Sequence, residues 1–218
     1  MNKPQIIHNT RSFVKETLQN AEGGHDWFHI QRVVKNAREI AEGEEVDHFV
    51  VELGALLHDI ADSKFHDGDE SVGPKVAREF LKKQEVSEEI IGHVVKIIEN
   101  ISFKGGNVDQ KFTSAELDVI QDADRLDALG AIGIARTFNY GGHKGRALYD
   151  PEIKPNLNMT KEEYKASTAP TINHFYEKLF LLKDRMNTDT GRKIAEERHR
   201  FMELFLEQFY AEWETDLE

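Results

Sequence analysis

The chain has 218 residues, enough for one large domain with a substantial core, and its formal net charge is −12. So acidic a surface argues against a nucleic-acid polymer as partner, because duplex binding needs a basic face. The lack of cysteine excludes disulfides, thiolate metal sites and a thiol nucleophile.

Helical periodicity dominates. Amphipathic segments are predicted at about 4–21, 26–43, 46–61, 70–84, 87–100, 115–138, 161–182 and 189–214. Stop signals separate them at Gly23-Gly24, Gly105-Gly106-Asn107, Gly141-Gly142 and the stretch from Asp150 to Pro155. Thr160 and Glu163 have the spacing of a capping box, and Pro170 is expected in the first turn of a new helix that divides the seventh segment. Residues 139–160 form the longest unpatterned segment. Its His143, Lys144 and Arg146 lie among glycines and read equally as a cover over a phosphate or as a surface loop. No alternating strand and no internal repeat is present, so the expected fold class is all-α, a helical bundle in one domain over 1–218 with a C-terminal helical extension from about 160. No apolar run reaches the roughly 20 residues of a membrane span. The N-terminal residues lack the apolar core of a signal peptide, which predicts a cytoplasmic protein with no membrane partner.

The third segment carries the chemistry. From Val46 to Ala61 nearly every position is apolar or small, and a helix apolar almost all round is a buried one. At about 100° per residue, His58 falls near 120° and Asp59 near 220° from Val46, within that buried surface. Burying an unpaired carboxylate costs on the order of several kcal/mol unless a cation answers it. Asp124 shares a strip with Leu117, Ile120, Ala128, Ala131 and Ala135, and His29 lies at the rim of the apolar arc Trp27, Ile30, Val33, Val34, Ala37 and Ile40. Two imidazoles and two carboxylates from three helices form a ligand set for one hard-to-borderline divalent ion. Mn²⁺ heads the candidates, with Fe²⁺, Ni²⁺, Zn²⁺ and Mg²⁺ as alternatives.

His29, the pair His58-Asp59 and the distant Asp124 resemble the signature of the HD superfamily of metal-dependent phosphohydrolases. The resemblance extends to His25-Asp-Trp-Phe-His-Ile-Gln-Arg-Val33, Ala55-Leu-Leu-His-Asp-Ile60, Ile101-Ser-Phe-Lys104 and Gln121-Asp-Ala-Asp-Arg-Leu-Asp-Ala128. It continues in Phe175-Tyr-Glu-Lys-Leu179 and Ala195-Glu-Glu-Arg-His-Arg-Phe201, so it spans nearly the whole chain. These stretches are similar to small stand-alone bacterial members, some of which are similar to nucleoside triphosphate pyrophosphohydrolases. The resemblance implies a helical domain, a divalent metal and hydrolysis of a phosphoester or phosphoanhydride in a nucleotide. A 5′-nucleotidase, or another phosphomonoesterase or phosphodiesterase of the superfamily, is the nearest alternative. A nucleotide-binding regulator without turnover is the alternative of a different class.

Asp62 follows Asp59 by three residues, about 60° round the helix, so both can face one cavity. It is the expected general acid or base, and related HD nucleotidases place an acidic residue at the same offset. His25, Arg32 and Asn36 share the strip of His29 and read as phosphate contacts or as groups that orient the ligands. Lys64, Lys104 and Arg125 are further candidates for substrate binding, with Arg136, Lys144 and Arg146 behind them. Asp127 and Arg125 flank Asp124 and suit a metal-orienting carboxylate and a phosphate contact, or equally a pair of salt bridges. In two-metal HD enzymes additional histidines hold a second ion; here His93 alone stands out, which argues for a single metal.

Overall fold

The computed structural model describes residues 1–19, 24–60, 69, 71–101 and 112–213, with side chains throughout except at 161, 162 and 165. Among the described residues the regular structure is entirely helical, without a strand, and no helix is long and apolar enough to cross a membrane. The chain forms two compact units, Met1–Asp124 and Arg125–Glu218.

The first unit is built round α3 (His48–Leu57), whose residues from Phe49 to Leu57 are all buried except Glu52. Asp47 starts this helix by accepting a hydrogen bond from the Phe49 N–H at 2.8 Å. Around α3 pack α1 (Lys3–Thr17), α2 (Trp27–Ala41) and α5 (Glu88–Asn100), and α5 in turn pairs with α4 (Val72–Lys83). Ile30, Val33, Ala37 and Ile40 of α2, Ile91, Val94 and Ile97 of α5, and Leu117 and Ile120 of α6 (Ala115–Asp127) complete the core. A side chain such as Leu53, fully enclosed here, contributes about 2–5 kcal/mol by comparison with alanine.

The second unit pairs α7 (Gly130–His143) with α10 (Asp189–Trp213), and between them lie α8 (Lys161–Ala166), α9 (Asn173–Glu177) and two 3₁₀ turns, Leu179–Leu181 and Lys183–Arg185. The buried Phe175 and the half-buried Phe138, Phe205 and Phe209 form an aromatic cluster in it, with neighbouring ring centroids 5.8–6.4 Å apart. Such aromatic pairs add about 0.5–1.5 kcal/mol each beyond the area they bury.

Four sequence expectations need correction. The segment 46–61 stops being helical at Leu57, with His58 as its C-cap. The single helix expected over 115–138 is two helices, α6 and α7. At the end of α6 the N–H groups of Ala128 and Leu129 donate to the carbonyls of Arg125 and Leu126, both at 3.1 Å. Arg198 adds a second bond to the Leu126 carbonyl at 2.6 Å, Arg136 donates to the Asp127 carbonyl at 3.3 Å, and Leu129 turns extended. The expected loop from 139 begins only after His143. The stop signal is Gly145 (φ 65°), not the Gly141-Gly142 pair: its N–H meets the Gly142 carbonyl at 3.1 Å and the Arg146 N–H meets the Gly141 carbonyl at 2.9 Å, a Schellman motif. Pro170 does not open a helix. The N–H groups of Thr171 and Ile172 donate to the carbonyls of Ala147 and Leu148 at 2.9 and 3.0 Å, and α9 starts only at Asn173. The capping box of Thr160 and Glu163 is present with both of its hydrogen bonds.

Candidate metal centre

Three local devices bring two imidazoles and a carboxylate to one place. Asp26 caps α2 by accepting from the His29 N–H at 2.9 Å, so His29 sits in the first turn with its ring 2 % exposed. His58 leaves the end of α3, and its Nδ1 lies 2.9 Å from the carbonyl of Ala55. Since a carbonyl only accepts, Nδ1 carries a proton, and in the neutral ring Nε2 keeps its lone pair. A metal-binding histidine is held in the same way, by donating its other ring N–H to a carbonyl or carboxylate. Asn36, about two turns after His29 on α2, donates to the Ala123 carbonyl at 3.1 Å and so fixes α6 at the residue before Asp124.

The result is a convergence of unlike segments. His29 Nε2 stands 3.3 Å from His58 Nε2 and 3.5 Å from Asp124 Oδ1. Ligand atoms about 2.0–2.2 Å from an ion lie about 2.8–3.6 Å apart along the edges of an octahedron or tetrahedron, so this donor set fits a divalent metal. A second group, His25, His29 and Asp59, overlaps it through His29, and in each group the donor atoms lie within 4.8 Å of one another. His25 lies outside α2, immediately before the capping residue, and its Nδ1 shares a short hydrogen bond with Asp59 Oδ2. Burial pushes the Asp59 carboxyl up, but the bond from His25 and the charges of His58, His25 and His29 outweigh it, so the group is held well below the ordinary carboxylate range.

Asp124 departs from the buried position expected of it: its side chain is 43 % exposed, which leaves one side of the group open to solvent and to a ligand. The buried acids of α6 are instead Asp122 and Asp127. Asp127 pairs with Arg136, and Arg125 donates to the Arg185 carbonyl at 2.7 Å. Arg32 is half-buried on α2, one turn after His29. His93 bonds Ser114 Oγ at 3.0 Å and lies 3.4 Å from Glu116, outside both candidate groups. Asp62, Lys64 and Lys104 lie outside the described residues. Sequence reasoning missed two supports, the Asp26 cap and the Ala55 carbonyl. The first was signalled by an aspartate three residues before His29; the second is a backbone group and leaves no trace in residue type.

The HD domain family matches residues 27–129, the stretch that holds His29, His58, Asp59 and Asp124. YpgQ of Bacillus subtilis is 41 % identical over 201 residues, 91 % of this chain and 89 % of its own length. The chain belongs to the HD family. Among solved structures, an HD-superfamily hydrolase from Bacillus thuringiensis is similar at a TM-score of 0.79 with 46 % identity, covering 97 % of this chain and 98 % of the other. A protein from Lactobacillus plantarum is similar at 0.80 with 37 % identity, covering 98 % and 99 %. YpgQ has been solved in complex with ADP, and that structure is similar at 0.75 with 35 % identity and 97 % of both chains covered.

Proposed function

We propose that this HD protein is a metal-dependent phosphohydrolase of nucleotides that releases pyrophosphate from nucleoside triphosphates. The observation that carries the reading is the meeting of His29 Nε2, His58 Nε2 and Asp124 Oδ1, with the His58 tautomer fixed by Ala55. The ADP complex of the similar YpgQ supports a nucleotide as ligand.

In this reading His29, His58 and Asp124 hold one divalent ion, Mn²⁺ foremost, and Asp59 joins them from the residue after His58. A bound divalent ion lowers the pKa of water and withdraws charge from phosphoryl oxygens. His25 holds Asp59 in its ionised form and keeps that carboxylate oriented. Asp62 takes the proton of the attacking water and passes it to the leaving group, the work of a general acid–base. Arg32, Lys64, Lys104 and Arg125 steer the phosphates, a local positive charge that a protein of net charge −12 must supply at its site.

Phosphorus NMR of products from mono-, di- and triphosphates tests this. Pyrophosphate with a nucleoside monophosphate is the expected result. Orthophosphate from monophosphates, with triphosphates untouched, would make the protein a nucleotidase, and no turnover with any divalent ion would make it a binding protein. Asp62→Asn is expected to keep its metal and lose roughly 10²-fold or more in rate.

A further inference from the structure

The second unit carries a cluster of cations and phenol rings that the metal chemistry does not use. It begins where the Schellman motif ends α7. Lys144 Nζ and the Arg146 guanidinium both lie 5.6 Å from the centroid of the Tyr140 ring, and Tyr140 is 53 % exposed. Arg146 is held in place by its hydrogen bond to the Ser167 carbonyl at 2.6 Å, which orders the guanidinium without neutralising it. On the neighbouring ring, Lys178 Nζ lies 6.0 Å from the centroid of Tyr164, whose hydroxyl is 2.9 Å from His174 Nδ1.

Cations at the end of a helix answer its dipole, and that alone explains Lys144 and Lys178, the C-caps of α7 and α9. It does not explain all three, gathered from 144, 146 and 178 round two aromatic faces in a chain with 40 acidic residues against 28 basic ones. We propose that Tyr140, Lys144, Arg146 and Lys178 form an anion-binding surface that takes the phosphate groups of a small molecule without help from the metal. Guanidinium and ammonium donors suit phosphate oxygens, and an exposed phenol ring beside them suits the flat face of a base. The field of the cluster is legible at its edge. Burial first, and then the charges of Lys178 and Arg146, push the His174 imidazole down to about 4, as a net positive surrounding must. Glu177, the last residue of α9, acts on Tyr164 in the opposite sense and accepts from the Asn156 N–H at 3.0 Å.

The test uses the full chain stripped of metal with a chelator, so that its failure and the failure of the metal reading are separate events. Inorganic pyrophosphate, titrated by calorimetry, is expected to bind the metal-free protein. In the double variant Lys144→Gln, Arg146→Gln binding should weaken roughly tenfold or more, with melting temperature and helicity retained. His58→Gln, which removes the proposed metal site, should leave this binding unchanged. In NMR, pyrophosphate should raise the pKa of His174. ADP as a second probe separates the sources of phosphate: tighter binding than pyrophosphate marks a nucleotide, equal binding marks phosphate alone. No binding of either probe to the metal-free protein, or the same affinity in the double variant, would overturn the proposal.

Discussion

His29 Nε2 and His58 Nε2 stand 3.3 Å apart although 29 positions separate the two residues, one in the first turn of α2 and the other at the exit of α3. In the neutral ring with its proton on Nδ1, the Nε2 of His58 faces His29 as a lone pair. A proton on either nitrogen, or a metal cation, would relieve the approach of the two lone pairs. A divalent ion should therefore stabilise the fold. At a concentration about 100 times the dissociation constant the gain is about 2.7 kcal/mol, a rise of roughly 5–10 °C in melting temperature for a chain of this size. Thermal melts with and without Mn²⁺ measure it, and His58→Gln should abolish the difference.

Asp59 bonds His25 rather than standing free, so its removal tests the ligand set separately. Asp59→Ala is expected to lose metal by elemental analysis and to melt earlier than the wild type. Full metal occupancy in that variant would confine the site to His29, His58 and Asp124.

Asn36 ties α2 to α6 at the residue before Asp124. Asn36→Ala leaves the Ala123 carbonyl without this donor and should cost about 1–3 kcal/mol. Through the displaced carboxylate it should also weaken metal binding about tenfold or more. Denaturant melts and metal titration read the two effects. Unchanged metal affinity would reduce Asn36 to helix packing alone.

Two glycines should differ in their response to alanine. A Cβ on Gly54 would come within 2.5 Å of Ile120 Cδ1, the far end of a side chain that can turn away. A Cβ on Gly133 would come within 2.2 Å of the Ala128 carbonyl oxygen, which is backbone. Overpacking costs about 1–3 kcal/mol where neighbours can yield. Gly54→Ala is expected in that range and Gly133→Ala above it, by urea denaturation; the reverse order would show that α7 shifts more readily than α3 repacks.

His174, pushed down to about 4 from an ordinary 6.5, binds its proton less readily folded than unfolded. Between these values the unfolded chain holds more protons, so stability rises with pH there and falls as pH drops from about 6.5 to 4. His174→Gln should flatten that part of the stability profile. An imidazole titrating near 6.5 in the folded protein would contradict the expectation.

The sequence by itself determined the helical class and the core of the first unit. The reason is that a period of 3.6 and an apolar run such as Phe49 to Leu57 depend on neighbours along the chain. It also marked His58, Asp59 and Asp124 as polar groups costly to bury without a partner, with His29 at the rim of an apolar arc. It did not show that Asp124 would remain 43 % exposed, or that Asp59 would turn to His25, because each depends on what another element presents. The break between α6 and α7 belongs to the same kind of fact. Local propensity favours one long helix over 115–138; instead Leu129 turns extended, and the Leu126 carbonyl, which accepts the Leu129 N–H, also accepts from the guanidinium of Arg198, 72 positions away. Only the tertiary structure decided these, since a hydrogen bond between distant residues has no periodicity to read.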